Sequence, residues 1–320
     1  MPNQFLVPAT GNLGVMAETA LHTSSKTPTF GTVLTAMVTP FKDNGEVDYD
    51  AAAKLAIKLV DEGCDGLVVT GTTGETSTLR DEENVKMFAT VVKAVGHRAK
   101  ILAGSTTNDT AHSISLSLAA KEAGVHGILV TVPYYNKPSQ AGVIAHVEAI
   151  IAAIQLPVML YDIPGRSGIA LSPESIIALA KNPLVVALKD AKADYQSTTT
   201  VLANTDLDVY SGDDLLTLPL MAAGAVGVVS VTAHVAAAKY RILVDAMHAG
   251  DLATARKAHF ELEPIQRAVM SHAQGAVVAK HILNWQGFLP NAVVRLPLVA
   301  PSETELETIR TNLREGGWEI

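Results

Sequence analysis

Several short apolar runs of this chain end in side chains that could do chemistry. If these runs are strands of one parallel barrel, their carboxyl ends meet at one mouth, which is where such a fold carries its active site. The polar positions that follow the runs are Thr72 and Thr73, Tyr134 to Asn136, Tyr161 to Arg166, Lys189, Asp190 and Ser211 to Asp214. Together they would line that mouth with hydroxyls, phenols, one lysine and one arginine.

Lys189 is the residue with the most specific chemistry. It follows the apolar run 184–188, so its side chain would rise from a barrel interior into the mouth. Loss of water there disfavours the ammonium form and lowers the lysine pKa. A neutral amine can attack a keto group and form an imine, which serves as an electron sink for carbon–carbon bond formation. From position alone, a structural ion pair with Asp190 or Asp162 is an equally good interpretation.

Three hydroxyl-bearing residues could move protons at this amine. Tyr161 ends the strand next to that of Lys189, where a phenol could reach the hydroxyl that leaves the imine carbon. With Thr72 and Tyr135 it could form a proton relay to solvent that requires no carboxylate. The alternative for Tyr161 is a tyrosine that only packs at the barrel rim.

Two further features could bind carboxylates. The turn at residues 71–74 holds two threonines between two glycines, so its backbone N–H groups could converge on an anion, and Thr73 could add its hydroxyl. No Gly-Lys-Ser/Thr follows, which favours a carboxylate over a phosphate. Arg166, in a Pro-Gly-Arg-Ser-Gly loop, could bind a second carboxylate bidentately. A plain tight turn and a surface salt bridge are the respective alternatives.

The elements that would position these residues alternate regularly. Eight apolar, β-branched runs lie at 33–39, 66–70, 100–103, 127–131, 157–161, 184–188, 207–210 and 226–231, with helical periodicity between them. Strands that are apolar throughout are buried on both faces, as in a parallel sheet under helices. The pattern predicts an α/β fold, a (β/α)₈ TIM barrel. An open, doubly wound sheet is the alternative, although no GxGxxG follows the first strand.

The pattern changes at both ends of the predicted barrel. Residues 1–30 are irregular and are interpreted as a flexible N-terminal arm. Residues 31–250 carry the strand–helix repeat and form the catalytic barrel. Residues 251–320 show helices with irregular connectors, which predicts a small C-terminal helical domain.

The composition argues against several classes of partner. The formal net charge is −8 and no Lys/Arg cluster occurs, which argues against nucleic acid and anionic membranes. No apolar run reaches the roughly 18 residues of a membrane span. Cys64 is the only cysteine, so no intrachain disulfide can form, which fits a cytoplasmic protein.

Cofactor chemistry is also poorly supported. The ten histidines are scattered and form none of the spacings typical of metal ligands. No GxSxG elbow indicates a catalytic serine. We therefore expect neither a metal nor another cofactor.

The residues in this order resemble the dihydrodipicolinate synthase / N-acetylneuraminate lyase family of Schiff-base aldolases and lyases. The motifs that carry the resemblance are GTTGET at Gly71, PYYNKPSQ at Pro133, YDIPGRSG at Tyr161, the lysine of ALKDAKAD, and SGDD at Ser211. The segment KDAKAD departs from the commoner sequence after the lysine, although a branch of the synthases carries it. The likeness is strong over residues 31–250 and looser over the C-terminal helices.

The resemblance implies a role for each candidate residue. Lys189 would form the imine with pyruvate, and Tyr161, Thr72 and Tyr135 would form the relay, with Tyr135 crossing from a neighbouring subunit. Substrate would be held by Thr73 at the pyruvate carboxylate, by the backbone carbonyl of Val229, by Gly212 and, at the carboxylate of L-aspartate-4-semialdehyde, by Arg166. The assembly implied is a homotetramer, a dimer of dimers.

Other functions stay open at this point. Another Schiff-base lyase of the family would act on sialate, a sugar acid or hydroxy-oxoglutarate, and those lyases usually lack the arginine at Arg166. A barrel kept as a binding protein and a metal-dependent aldolase are further alternatives. In lysine-inhibited relatives the inhibitor site uses two histidines and a glutamate, where this chain has Asp81, Asn84 and His112 beside Tyr134 and Asn108. Weak or absent feedback by L-lysine is therefore predicted.

Overall fold

Eight parallel strands form a closed barrel in chain order, so each strand pairs with its sequence neighbour and β8 returns to β1. The computed structural model describes residues 27–318. The strands are β1 Val33–Ala36, β2 Gly66–Val69, β3 Lys100–Ala103, β4 Gly127–Thr131, β5 Val158–Asp162, β6 Val185–Asp190, β7 Asp208–Ser211 and β8 Gly227–Ser230. The predicted TIM barrel is confirmed. Most of the predicted arm, residues 1–26, lies outside the described residues.

Helices cover the barrel and continue beyond it. They are α1 Tyr49–Asp61, α2 Asp81–Val95, α3 Thr110–Glu122, α4 Gln140–Ile154, α5 Pro164–Ser167, α6 Pro173–Leu179, α7 Tyr195–Asn204, α8 Thr217–Ala223, α9 Ala233–His248, α10 Leu252–Met270, α11 Gly275–Trp285 and α12 Glu303–Glu315. Local sequence sets several of their ends. Ser172 caps α6 with Pro173 in its first turn, and Asp109 caps α3 by accepting from the backbone N–H of His112.

The core has two layers because each strand is buried on both faces. The outer layer packs strands against helices. The inner layer fills the barrel with Leu34, Val68, Leu102, Leu129, Met159, Ala187, Tyr210 and Val229, among others. Phe30 belongs to this inner layer, and the hydroxyl of Tyr210 donates to the carbonyl of Gly31 at 2.8 Å. The amino end of the barrel is thereby filled. The polar side chains of the candidate site lie at the opposite end, where the strands have their carboxyl ends.

The C-terminal helices are joined to the barrel by buried polar contacts. Lys280 of α11 pairs with Glu75 at 2.5 Å, both side chains being 1% exposed. Gln266 of α10 donates to the carbonyl of Asp214 and to the hydroxyl of Tyr240. The segment after residue 250 thus supports the barrel mouth directly. The domain boundary at residue 250 stays a prediction.

Candidate active site

Lys189 and Tyr161 lie side by side at the carboxyl ends of two neighbouring strands. The parallel register of β5 and β6 pairs these two residues directly. The Nζ of Lys189 lies 4.3 Å from the centroid of the Tyr161 ring, and each residue is only 5% exposed. The two residues with the most specific predicted chemistry are therefore brought together in a place with little water.

The electrostatics of the site favour a reactive amine. Burial lowers the pKa of Lys189 to about 8, against the opposing charge of Asp214, and Arg166 lowers it further. Among residues 27–318 no carboxylate forms a salt bridge with Lys189. Asp162 instead pairs with Lys192 at 3.4 Å. The structural ion pair that the sequence left open is therefore not formed in the part of the chain that the structure describes.

Tyr161 is suited to donate a proton. Burial raises its pKa to about 12, against a smaller opposing effect of Arg166, so the phenol stays protonated at neutral pH. A protonated phenol beside a neutral amine can deliver a proton to an oxygen that leaves the carbon under attack. This is the arrangement that imine formation requires.

The threonine turn borders a cavity of about 210 Å³ at the barrel mouth. Thr72 and Arg166 both line this cavity, together with Thr106, Tyr134 and others. Thr73 is buried, 8% exposed, in the short helical turn Thr72–Gly74. Lys189 and Tyr161 do not line the cavity, consistent with their near-complete burial. A larger cavity of about 640 Å³ lies near the amino ends of the strands, beside Thr32 and Lys100, away from these groups.

Arg166 lies on α5, a single helical turn where the sequence predicted a loop. Pro164 occupies the first position of this turn and Gly168 ends it in the left-handed region. The residue is exposed, and within the described chain its guanidinium forms no hydrogen bond or ion pair. An unpaired guanidinium that lines the cavity is free to bind an anionic substrate.

Gly212 lies against the side chain of Lys189, and Val229 lies inside the barrel. A Cβ at Gly212 would stand 3.0 Å from the Cγ of Lys189 and 2.9 Å from the Cβ of Ala191, so glycine leaves room for the lysine side chain. Val229 is in β8, 1% exposed, with its side chain in the inner layer. Both positions can thus shape the space around the amine.

Tyr135 does not join the others. Its side chain is 88% exposed and its backbone has a φ of 71°, in the left-handed region that a tyrosine seldom adopts. Within the described chain it makes no side-chain hydrogen bond. Thr72 is also exposed. A complete relay of Tyr161, Thr72 and Tyr135 is therefore not assembled within a single chain.

Comparison of this chain with known proteins identifies its family. The profile of the dihydrodipicolinate synthetase family matches residues 29–315. The chain belongs to this family. A 4-hydroxy-tetrahydrodipicolinate synthase of Kineococcus radiotolerans is 50% identical over 90% of this chain and 94% of its own length. One from Mycolicibacterium gilvum is 48% identical over 89% and 93%.

Solved structures of the family agree in fold. A dihydrodipicolinate synthase from Cyanidioschyzon merolae, with lysine bound, superposes with a TM-score of 0.88 at 37% identity, covering 91% of this chain and 99% of the other. One from Bacillus anthracis gives 0.86 at 40% identity, covering 89% and 98%. The expectation of a lyase of this family is thereby confirmed.

The described residues contain neither a cluster of metal ligands nor a membrane-spanning helix. Among residues 27–318, no group of three or more histidine, cysteine, aspartate or glutamate side chains could hold a metal ion. No described helix is both long and apolar enough to span a membrane.

The sequence missed several polar residues that support the site. Asp214 accepts from the backbone N–H groups of Val231 and Thr232 and opposes the lowering of the Lys189 pKa. Glu75 and Lys280 form the buried pair described above. The motif SGDD contains Asp214, so its position in the sequence was noted, but its contacts depend on how the chain closes. Glu75 and Lys280 are 205 positions apart in the sequence, so no local pattern could predict that they pair.

The lowered lysine pKa predicts a pH dependence. Only the neutral amine attacks, so trapping of pyruvate by cyanoborohydride is expected to accelerate as pH rises and to level off above about 8. Arg166→Gln should move this profile upward in pH, because it removes a cation that depresses the pKa. Initial trapping rates between about pH 6 and about pH 10 measure it. A profile governed by the ordinary lysine pKa of 10.5 would contradict the expectation.

Proposed function

We propose that this chain is a 4-hydroxy-tetrahydrodipicolinate synthase of lysine and diaminopimelate biosynthesis. It condenses pyruvate, held as an imine on Lys189, with L-aspartate-4-semialdehyde. The observation that carries the proposal is the buried amine beside the phenol of Tyr161. Relatives that are 50% and 48% identical to this chain carry the name 4-hydroxy-tetrahydrodipicolinate synthase, which supports the proposal.

The proposed reaction begins on the lysine. The neutral amine attacks the keto carbon of pyruvate, and the carbonyl oxygen leaves as water with protons supplied through Tyr161. The imine withdraws electrons, so the methyl group loses a proton and becomes a nucleophilic enamine. Its carbon attacks the aldehyde carbon of the semialdehyde, and the aldehyde oxygen takes up a proton. The amino group of the second substrate then displaces Lys189 from the imine carbon, which closes the ring and frees the enzyme.

The carboxylates of both substrates need separate partners. Thr73 and the backbone N–H groups of its turn hold the pyruvate carboxylate, Val229 contributes a backbone carbonyl, and Gly212 borders the same space. Arg166 binds the carboxylate of the semialdehyde, supported by its position at the cavity and its unpaired guanidinium. The net charge of −8 repels anionic substrates, so these local donors matter.

The assembly proposed is a cytoplasmic homotetramer, a dimer of dimers. An 88% exposed tyrosine in a left-handed conformation has no evident use within one chain. Tyr135 would complete the relay of a neighbouring subunit through Thr72, which is exposed at the same mouth. A single buried cysteine agrees with a reducing compartment.

Replacement of Arg166 tests the choice of second substrate. Arg166→Ala is expected to raise the KM for L-aspartate-4-semialdehyde about 10- to 100-fold, the value of a hydrogen bond between charged groups. Pyruvate trapping on Lys189 at saturating pyruvate should persist. Steady-state kinetics with each substrate varied measure both effects. An enzyme that still handled its aldehyde normally would favour the alternative, a lyase of sialate, a sugar acid or hydroxy-oxoglutarate.

Feedback by L-lysine is expected to be weak or absent. At the positions of the inhibitor site, the carboxylate of Asp81 lies 2.9 Å from Nε2 of His112 and so already has a partner. Millimolar L-lysine should leave the initial rate nearly unchanged. His112→Glu, which restores an anion for the ammonium of lysine, should increase the inhibition. Strong inhibition of the parent enzyme would show the prediction to be wrong.

A further inference from the structure

The loop that carries Arg166 is held by its two ends. It spans residues 163–171, between β5 and the start of α6. Since the guanidinium of Arg166 bonds to nothing within residues 27–318, its position depends on where the loop is fixed. The single turn α5 is stabilised internally by Ser167, whose hydroxyl is placed to bond the carbonyls of Ile163 and Ile169. Internal bonds shape the loop but do not orient it over the cavity.

Asp162 and Lys192 close the loop at its base. Asp162 precedes the loop, and its Oδ1 accepts from the backbone N–H of Leu171 at 3.1 Å. The Nζ of Lys192 donates to the carbonyl of Leu171 at 3.0 Å and lies 3.4 Å from Oδ2 of Asp162. The side chains of Lys192 and Asp162 are 10% and 1% exposed. One ammonium therefore joins the residue before the loop, Asp162, to the last residue of the loop, Leu171, where little water reaches.

Lys192 is itself fixed to the strand of the proposed imine lysine. Its backbone N–H donates to Oδ1 of Asp190 at 2.9 Å, and Asp190 directly follows Lys189 in β6. The hydroxyl of Thr198 donates to the other oxygen of the same carboxylate. A continuous polar chain thus runs from Asp190 through Lys192 to both ends of the arginine loop. Gln140 of α4 adds a second support by bonding the carbonyl of Ala170 and the N–H of Ser172.

We propose that Lys192 and Asp162 are positioning residues that set the affinity for the acidic second substrate by fixing Arg166 relative to Lys189. The inference rests on the proposed function. Neither residue touches the cavity or the reacting atoms, so they act through the loop. The lysine of KDAKAD, which departs from the commoner family sequence, then has a defined task. It supplies a positive charge beside a buried carboxylate: burial raises the pKa of Asp162, and the backbone N–H of Leu171 and the charge of Lys192 oppose that rise.

The test is a split between the two KM values. Lys192→Met keeps the length and the apolar stem but removes the charge and the bond to Leu171. The KM for L-aspartate-4-semialdehyde is expected to rise about tenfold, because a shift of about 1 Å in a substrate-binding group is costly. The KM for pyruvate and the trapping of pyruvate on Lys189 should stay within about twofold of the parent. Lys192→Arg, which can still bond both partners, should restore most of the affinity.

Two controls keep the outcome interpretable. Lys181→Met, at an exposed lysine that follows α6, should change neither KM. If Lys192→Met is too unstable to assay, the double variant Asp162→Asn/Lys192→Met removes both charges, keeps an oxygen for Leu171, and should show the same split.

The failures can be told apart. A parent enzyme that does not consume the semialdehyde would refute the proposed function. An active parent whose folded Lys192→Met or double variant keeps its KM for the semialdehyde, or raises both KM values equally, would overturn the positioning role alone.

Discussion

Lys189→Ala is expected to abolish turnover, with kcat reduced on the order of 10⁵-fold or more. Without the amine there is no imine, and hence no electron sink to activate the methyl group of pyruvate. The variant should fold while losing chemistry, because the side chain removed is a buried amine that forms no salt bridge among the described residues and so leaves no buried charge without its partner. Steady-state assay with both substrates measures the loss, and circular dichroism checks the fold.

A control variant at another lysine tests whether the loss of kcat is specific to Lys189 or follows from the loss of any lysine side chain. Lys181→Ala, at an exposed lysine that precedes the amino end of β6 and does not line the cavity at the mouth, should retain the parent kcat. Measurable condensation by a folded Lys189→Ala enzyme, above the level of its purification background, would refute covalent catalysis by this residue.

Tyr161→Phe is expected to slow turnover by about 10² to 10⁴-fold while the pyruvate adduct still forms. The ring that contacts the lysine is kept, so the amine stays buried and its pKa low, but the phenolic proton is lost. Departure of the hydroxyl from the imine carbon and the later proton transfers then depend on water. Comparing kcat with the extent of trapped adduct separates these steps.

The best control is another buried tyrosine of the same barrel. Tyr210 lies in the inner layer and pairs with Lys189 in the β6–β7 register, but its hydroxyl donates to the carbonyl of Gly31 at the amino end of the barrel. Tyr210→Phe should cost stability, about 1 kcal/mol for one hydrogen bond, and leave kcat nearly unchanged. If Tyr161→Phe were as active as the parent, the relay would have to begin at another group.

The barrel could be predicted from the sequence because its signals are local. Each strand is an unbroken apolar run that must be buried on both faces, and eight such runs alternate with helical periodicity. The third, fourth and fifth strands end within one residue of the predicted positions. The first ends at Ala36, three residues earlier than predicted, because the backbone N–H of the buried Val38 donates to Nε2 of His234 rather than to a neighbouring strand. The same logic correctly placed Lys189 and Tyr161 at neighbouring strand ends, because parallel strands in chain order align them.

The rest of the site depends on long-range contacts that no local pattern encodes. The partners Glu75 and Lys280, or Asp162 and Lys192, meet only once the chain has closed. The sequence offered Asp162 as a partner for Lys189, and the structure gives it to Lys192. Tyr135 is exposed and has a left-handed backbone, a conformation that could not be predicted for a tyrosine from the sequence. The catalytic roles of the individual residues stay predictions until they are measured.

The measurement that tests the central claim most directly is peptide mapping of the parent enzyme after reduction with cyanoborohydride in the presence of pyruvate. Mass spectrometry should find one reduced pyruvate adduct per chain, on the peptide that contains Lys189, and none on the buried Lys280. An adduct on a different lysine, or no adduct under conditions in which the enzyme turns over, would contradict the account.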